Sequence, residues 1–406
     1  MPYEPTEPTA DEIVWPVTTF ESRAWVRSGD EVGSRRRIRD ASGPYLAAVP
    51  PVIAHLAATL PADLVAIADD AGRELTRFDA EVGTLAAPFS SILLRTESAS
   101  SSEVENLTSS AKQVALAEIG TATAGNAKLV VGNVAAMEAA IALADDLDPQ
   151  AILTMHRALL EKSSPRIVGR WRNEQVWIGG GAVSPHNASF VPPHQDRVPD
   201  LMDDVMRFAR RTDLPVIAQV AIAHAQFETI HPFPDGNGRT GRALVQGMLR
   251  ASRVTENVTV PVSAGLLGDT EGYFRALTDY RNGDVRPIIE TLSDAAFAAI
   301  SNGRLLERDI TELIARWDLA VRARSDSSVH GLKNLLLRQP VVTIAIVARE
   351  LGVSEPAADA SVKKLVEAGI LFQATPGRRN RHWQATEVLH ALDEFGERAR
   401  RQRPGS

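Results

Sequence analysis

Residues 231 to 242 read HPFPDGNGRTGR and place one histidine, one aspartate, two arginines and three glycines in twelve positions. The preceding run, residues 215 to 230, has the apolar spacing of a helix, and Pro232 and Pro234 stop that helix. A tight turn, residues 235 to 238, then leads into a second helical run. Because a glycine-rich turn at a helix N-terminus presents unpaired backbone N–H groups, the stretch predicts two helices joined by an anion-binding turn.

The charged side chains of this stretch suit phosphate chemistry. Arg239 and Arg242 are three positions apart, so they lie on one side of the second helix and can each grip phosphate oxygens. Asp235 offers the hard oxygen ligand that Mg²⁺ prefers, and His231 can take a proton near neutral pH. The combination indicates phosphoryl or nucleotidyl transfer to a nucleophile that loses a proton. The P-loop pattern GxxxxGK(S/T) and the zinc-protease pattern HExxH are both absent from the chain.

Each element also has a structural explanation. A Gly-Asn-Gly turn is often only a turn, two arginines often form a solvated helix face, and one histidine is often a core residue. The complete set in this order favours nucleotide chemistry. Two other histidines, His224 and His156, fall at apolar helix positions, which predicts buried structural histidines, although a metal site that combines His224, His231 and Asp235 is conceivable.

Composition narrows the class of protein. The 406 residues are 44% hydrophobic and 23% charged, which is typical of a globular protein. The formal charge of −7 argues against a global field for nucleic acid, and the lack of cysteine excludes disulfides, thiolate zinc sites and a cysteine nucleophile. The first residues carry acids and prolines where a signal peptide needs a basic and then apolar run, and no apolar run approaches the ~20 residues of a membrane span. We expect a cytoplasmic protein without a membrane partner.

The chain is expected to be mainly α-helical. The predicted segments are an N-terminal tail or arm (1–42), an N-terminal helical region (43–125), a catalytic core (126–300), a linker helix (301–325) and a winged helix-turn-helix (326–396). In the second segment, residues 50 to 61 and residues 61 to 82 both show helical spacing, and Pro61 marks a helix start. In the core, glycines, prolines and short β-prone runs between residues 169 and 199 predict a hairpin.

The winged helix-turn-helix is predicted from element order. Two helical runs, a third helix and a basic hairpin follow one another between residues 326 and 396. The third helix carries mixed charges, whereas the hairpin turn carries Arg378, Arg379 and Arg381. DNA binding through this segment is therefore about as well supported as dimerisation or docking of a target, and a homodimer is left open.

The sequence from His231 to Arg242 matches HPFxxGNGRxxR and so resembles the signature of the Fic family, whose members mostly transfer AMP from ATP to a protein hydroxyl. The runs AHAQFETIHPF, GRWRNEQVWIGG and SSSEVENL extend the resemblance over roughly residues 45 to 300. It implies a Fic-type helical bundle with a β-hairpin flap, to which the C-terminal winged helix is added.

The resemblance also implies roles for single residues. His231 would be the catalytic base, Asp235 the Mg²⁺ ligand, and Gly236, Asn237 and Gly238 the anion hole. The residues implied to bind ATP are Glu105, Ile178, Gly179, Gly180, Gly181, His231, Asp235, Gly236, Asn237, Gly238, Arg239, Thr240, Gly241, Arg242, Tyr273, Phe274 and Arg281.

Several of these positions bear on specificity. The stretch from Ile178 to Gly181 resembles the flap that pairs with a target as an added strand. Tyr273 and Phe274 fall where the family lines its adenosine pocket, usually with Tyr-Tyr. Arg281 falls near a position that often carries an adenine-contacting Asn, so the choice of nucleotide is open. Gly238 stands where a phosphotransferase branch has lysine, which favours adenylyl transfer.

Ser101, Glu105 and Asn106 resemble the family's inhibitory motif, (S/T)xxxE(G/N). The serine cluster predicts N-caps for a helix that carries Glu103 and Glu105 in its first turns. A carboxylate aimed at Arg242 would occupy the cation that holds the γ-phosphate. The alternative is that Glu105 is only a favourable charge at the start of a helix.

Together these features predict a protein adenylyltransferase that uses ATP and Mg²⁺, modifies a Ser, Thr or Tyr hydroxyl of a target or of itself, and is autoinhibited by Glu105. The competing class is a DNA-binding regulator whose Fic core senses nucleotide. Transfer of another nucleotide, or removal of AMP, is also left open.

Overall fold

The computed structural model describes residues 15–25, 43–83, 88–121, 125–180, 184–321, 327–374 and 381–401. Within these ranges the chain is mainly helical, as predicted. The helices are α1 (Ala62–Gly83), α2 (Pro88–Val104), α3 (Ala111–Glu118), α4 (Gly125–Ala142), α5 (Pro149–Leu160), α6 (Val198–Ala209), α7 (Val216–Ile230), α8 (Asn237–Ala251), α9 (Val262–Leu266), α10 (Thr270–Arg281), α11 (Arg286–Ala320), α12 (Ser328–Arg338), α13 (Ile344–Leu351), α14 (Glu355–Glu367) and α15 (Thr386–Arg401). The strands are β1 (Thr19–Arg23), β2 (Tyr45–Val49), β3 (Val341–Val342), β4 (Phe372–Gln373) and β5 (Trp383–Gln384).

The described chain forms two compact units. The first takes its residues from 1–72, 138–252 and 270–293, and the second takes the remainder, from 73–137, 253–269 and 294–406. Helix α11 continues across the predicted border between the core and the linker helix, at residues 300 and 301. The five predicted segments stay predictions.

The first unit is built around α7, whose residues are buried from Ile217 to Ile230. Its run of apolar side chains on all faces suits a central helix, and α6 and α8 both pack against it. Helix α5 packs on α8 and begins as the sequence predicts: Asp148 accepts a hydrogen bond from the Ala151 N–H at 2.7 Å, and Pro149 occupies the first turn.

A two-stranded antiparallel sheet, β1 with β2, also belongs to this unit, with Thr19 opposite Val49. The prediction that residues 50 to 61 are helical is wrong, because they form one turn and otherwise irregular backbone. A tertiary contact holds this stretch instead, because the Ile53 and Ala54 N–H groups donate to the Asp204 carboxylate at 2.7 and 3.0 Å. Helix α1 starts at Ala62, directly after Pro61.

In the second unit, α2 packs against α9 and α12, and α12 packs against α13 and α14. The strands form a three-stranded sheet in the order β3-β5-β4, with Gln384 opposite both Val341 and Phe372. The order of these elements agrees with the predicted order, while the assignment as a winged helix stays a prediction. Arg378 and Arg379 lie outside the described residues.

The position of Glu103 and Glu105 differs from the prediction. Helix α2 begins at Pro88, so Glu103 lies in its last turn and Glu105 follows its last residue. The serines do not cap a helix start: the Ser98 and Ser102 hydroxyls donate to carbonyls four residues earlier, at 2.8 and 2.9 Å. Proline suits a first turn, which explains the earlier start.

Among the described residues, no helix is both long enough and apolar enough to cross a bilayer.

Candidate active site

His231 ends α7 in an unusual backbone conformation. Its φ of 52° and ψ of 62° are left-handed, and its N–H donates to the Phe227 carbonyl at 2.9 Å. A left-handed conformation costs a residue with a Cβ about 1–2 kcal/mol. The surrounding fold therefore has to stabilise this conformation. It redirects the backbone, so that α7 ends at the residue predicted to be the catalytic base.

The His231 side chain is held neutral. Burial lowers its pKa to about 3, the positive charges of Arg172 and Arg281 lower it further, and the Glu228 carbonyl acts in the opposite direction. Its Nδ1 atom is buried and has no hydrogen-bond partner among the described residues. At neutral pH the ring can therefore accept a proton.

The turn after His231 is shaped by close contacts. Gly236 has a φ of 80°, and a Cβ at that position would lie 2.8 Å from the Leu159 Cδ2 atom, so a side chain there would be strained on both counts. The Asn237 amide bonds twice to the Phe233 backbone: its Oδ1 accepts from the N–H at 2.8 Å, and its Nδ2 donates to the carbonyl at 2.9 Å. The side chain of Asn237 thus holds the turn in shape at the start of α8.

Two arginines on the first turns of α8 are buried. Arg239 is 2% exposed and Arg242 is 3% exposed. Cations near the positive end of a helix dipole do not stabilise that helix, and burying them is costly. This arrangement is suited to an anion at the N-terminus of α8, which would interact with the dipole and both guanidinium groups.

Asp235 is the acidic group of the turn. Its side chain is 58% exposed, and its Oδ1 lies 3.4 Å from the Arg239 Nη2 atom. The exposed carboxylate is a fitting ligand for Mg²⁺. Within the described ranges, no group of three or more His, Asp or Glu side chains could hold a metal ion. A cation at Asp235 would therefore depend on oxygens from a ligand such as a phosphate.

Thr240 and Gly241 lie where α8 crosses α7. Thr240 is buried. A Cβ on Gly241 would lie 2.6 Å from the Glu228 Oε1 atom and 2.9 Å from the Phe227 Cδ1 atom. Gly241 therefore permits the close approach of the two helices that frame the turn.

His156 packs against the turn that follows His231, a contact that the sequence did not predict. Its ring stacks on Phe233 with centroids 3.7 Å apart. Its Nδ1 accepts from the Gly169 N–H at 3.3 Å, so the proton resides on Nε2, which donates to the Asp235 carbonyl at 3.1 Å. Burial lowers the pKa of His156 to about 4. The predicted burial is confirmed.

His224 is also buried, as predicted. Its Nε2 lies 2.7 Å from the Tyr273 hydroxyl, and both residues are 1% exposed. Burial lowers the pKa of His224 to about 3, with a smaller effect of Arg242. The Tyr273 hydroxyl is thus engaged by a core histidine, whereas the neighbouring Phe274 is 51% exposed.

The predicted flap is partly formed. Ile178 pairs with Phe190 in an antiparallel bridge, and Gly179 and Gly180 follow with φ of 72° and 76°. Gly181 lies outside the described residues. The guanidinium carbon of Arg281 lies 3.9 Å from the centre of the Phe190 ring, so the structure brings Arg281 and this pair together.

The residues predicted to form the inhibitory motif lie in the second unit. Asn106 has a φ of 61°, and the Leu107 N–H donates to the Ser102 carbonyl at 3.0 Å, which closes the end of α2. Gly and Asn tolerate this left-handed cap, which explains why the motif ends in one of them. Ser101 is buried. The alternative for Glu105, a favourable first-turn charge, is wrong, because Glu105 follows the C-terminus of α2.

Sequence reasoning assigned no role to Arg172, whose Nε donates to the His231 carbonyl at 2.9 Å. Arg172 lies within the run GRWRNEQVWIGG, which carries part of the longer resemblance.

Comparisons with known proteins agree with this site. Residues 146–249 match the Fic/DOC family. Protein adenylyltransferase fic-1 of Caenorhabditis elegans is 30% identical over 156 residues, which are 38% of this chain and 28% of that protein. Protein adenylyltransferase Fic of Drosophila willistoni is 30% identical over 146 residues, which are 35% of this chain and 26% of that protein. The chain thus spans less than a third of the length of these relatives.

A crystal structure of a Fic family protein from Desulfovibrio desulfuricans G20 superimposes with a TM-score of 0.50 at 22% identity, and the match covers 80% of this chain and 97% of that chain. This likeness concerns the fold. Residues 146–249, which carry His231 and the turn that follows it, are a domain of the Fic/DOC family.

Proposed function

We propose that this chain is a protein adenylyltransferase that transfers AMP from ATP to a Ser, Thr or Tyr hydroxyl of a target protein or of itself. The observation that carries the proposal is a neutral His231 placed directly before the glycine turn that opens α8, a helix whose first turns bear two buried arginines. The relatives named protein adenylyltransferase support it.

In the proposed reaction, the target hydroxyl oxygen attacks the α-phosphorus of ATP and its proton passes to His231. A phosphorus–oxygen bond to the target forms, the bond from the α-phosphorus to the bridging oxygen breaks, and pyrophosphate leaves. A base must be unprotonated to act, and the low pKa of His231 ensures this. Negative phosphates nearby would raise that pKa toward the range in which a histidine transfers protons well.

The N-terminus of α8 would bind the phosphates through the backbone of residues 236 to 238 and through Arg239 and Arg242. Asp235 would hold Mg²⁺ together with phosphate oxygens, and the bound ion would offset negative charge on the phosphates. The remaining ATP contacts are proposed for residues 178 to 181 and for Tyr273, Phe274 and Arg281.

We propose further that Glu105 restrains the reaction. Its carboxylate follows the C-terminus of α2, where the helix dipole disfavours a negative charge. Helix stability therefore does not explain a carboxylate at this position, whereas competition with phosphate for a cation of the site would.

The test is incubation of the wild type and Glu105→Gly with labelled ATP, GTP, CTP or UTP, followed by mass spectrometry of the modified residues. We expect AMP on a hydroxyl side chain. His231→Ala should lose about 10²–10⁴-fold in rate while nucleotide binding, measured by calorimetry, persists. Full turnover in His231→Ala would contradict the mechanism. ATP-dependent DNA binding without transfer to protein would favour the nucleotide-sensing regulator.

A further inference from the structure

One buried arginine connects several backbone segments of the first unit. Arg172 is 3% exposed. Its Nε donates to the His231 carbonyl at 2.9 Å, and its Nη1 donates to the Glu174 carbonyl at 3.0 Å. Its Nη2 donates to the Pro193 carbonyl and, at 3.4 Å, to the Ile230 carbonyl. All of these side-chain hydrogen bonds go to backbone oxygens.

Two of the carbonyls belong to the end of α7. The Arg172 backbone N–H adds a third, because it donates to the Pro232 carbonyl at 2.9 Å. The last carbonyls of a helix have no partner within the helix and form the negative end of its dipole, so a cation is stabilised there. Arg172 thus bonds to three successive carbonyls around the left-handed His231, and these bonds oppose any return of His231 to a helical conformation.

The other two carbonyls lie on the segment of residues 174 to 193. Glu174 and Pro193 stand at its two ends, on either side of the Ile178–Phe190 bridge. One side chain therefore ties both ends of this segment to the backbone of His231. Only a guanidinium suits this task, because its planar group directs five N–H donors to separate acceptors, whereas a lysine offers three donors from one point.

We propose that Arg172 is a positioning residue that holds His231 in its left-handed conformation and couples the movement of residues 174 to 180 and 184 to 193 to that histidine. The proposal rests on the proposed function only for its activity measurement. The positive charge of Arg172 also acts on the ring itself, because it lowers the pKa of His231 and so favours the unprotonated form.

The test is Arg172→Lys, which keeps the charge and loses the planar group of donors. In a Glu105→Gly background, the rate of AMP transfer at saturating ATP should fall about 10²-fold, because small displacements of a catalytic group have such costs. The KM for ATP should rise by less than the rate falls, at most about tenfold, because the N-terminus of α8 stays intact and only the proposed contacts at residues 178 to 181 are loosened. Amide hydrogen exchange should become faster at residues 174–180, 184–193 and 231–235 and stay unchanged at 242–251.

Arg197→Lys is the matched control. Arg197 lies in the same unit and donates two hydrogen bonds to the Glu21 carboxylate, at 2.9 and 2.7 Å, with a side chain that is 41% exposed. It bonds to no carbonyl near His231, so transfer and exchange at residues 231–235 should match the parent protein.

Each outcome decides the proposal. A parental rate in Arg172→Lys, or unchanged exchange at both 174–193 and 231–235, would overturn it. If the parent transfers no nucleotide, the proposed function fails and the exchange measurement still decides the role of Arg172. If Arg172→Lys does not fold, exchange in the wild type is decisive: coupled movement requires residues 174–180 and 231–233 to open at the same rate, and independent opening refutes it.

Discussion

Lowering the pH from 6 to 5 is expected to destabilise the first unit through two fully buried histidines. Burial lowers the pKa of His156 to about 4 and that of His224 to about 3. A histidine in the unfolded chain titrates near 6.5, so the unfolded state binds protons in this interval while the folded state does not. Stability from a depressed pKa is complete above the unfolded pKa and is lost as the pH falls toward the folded pKa.

The expected size follows from the proton uptake of the unfolded chain. Between pH 6 and 5, each histidine contributes a loss of about 1.2 kcal/mol in the free energy of unfolding, or about 2.4 kcal/mol together. That is a substantial part of the roughly 5–15 kcal/mol that stabilises a domain. His231, whose pKa burial also lowers to about 3, adds a loss of the same size, about 1.2 kcal/mol. Glu21, whose pKa is lowered to about 2 from 4.5, loses its contribution mainly below this interval.

Urea unfolding followed by tryptophan fluorescence at pH 7, 6 and 5 measures the effect. His224→Gln should remove about a third of the pH dependence. The glutamine can keep a hydrogen bond to the Tyr273 hydroxyl, which lies 2.7 Å from the histidine. His390→Gln is the control, because its side chain is 71% exposed. A free energy of unfolding that stays constant between pH 6 and 5, or an undiminished slope in His224→Gln, would refute the reasoning.

Two substitutions test the proposed regulatory role of Glu105 and the crossing of α7 and α8. Glu105→Gly should increase self-modification with labelled ATP about tenfold or more if its carboxylate keeps the phosphates out of line, and Glu103→Gly should do much less; equal rates for the wild type and Glu105→Gly would locate regulation elsewhere. Gly241→Ala should lower the Tm in calorimetry, because a Cβ would lie 2.9 Å from the Phe227 Cδ1 atom and 3.2 Å from the His224 Cε1 atom, both in buried rings of α7 that must shift. Overpacking costs about 1–3 kcal/mol, more than the ~1 kcal/mol gained in helix propensity. Gly125→Ala, at a position with no atom within 4 Å, is the control, and an equal or higher Tm in Gly241→Ala would contradict the packing role.

The sequence by itself determined the features that depend on near neighbours in the chain. The Asp148-Pro149 start of α5, the helical run of α7 and the turn that opens α8 were all predicted, since caps, proline stops and glycine turns are local signals. The Fic motif was recognisable for the same reason, because its chemistry is concentrated in twelve consecutive residues.

Tertiary structure decided the contacts that support this motif. Arg172 bonds to a carbonyl 59 residues away and His156 to one 79 residues away. Every residue has a carbonyl, so no pattern of side chains marks these partners in the sequence. The pairing of β1 with β2 and the burial of the serines in α2 likewise depend on segments that meet only after folding. A hydrophobic period shows which face of a helix is buried, but only the packed chain shows what that face contacts.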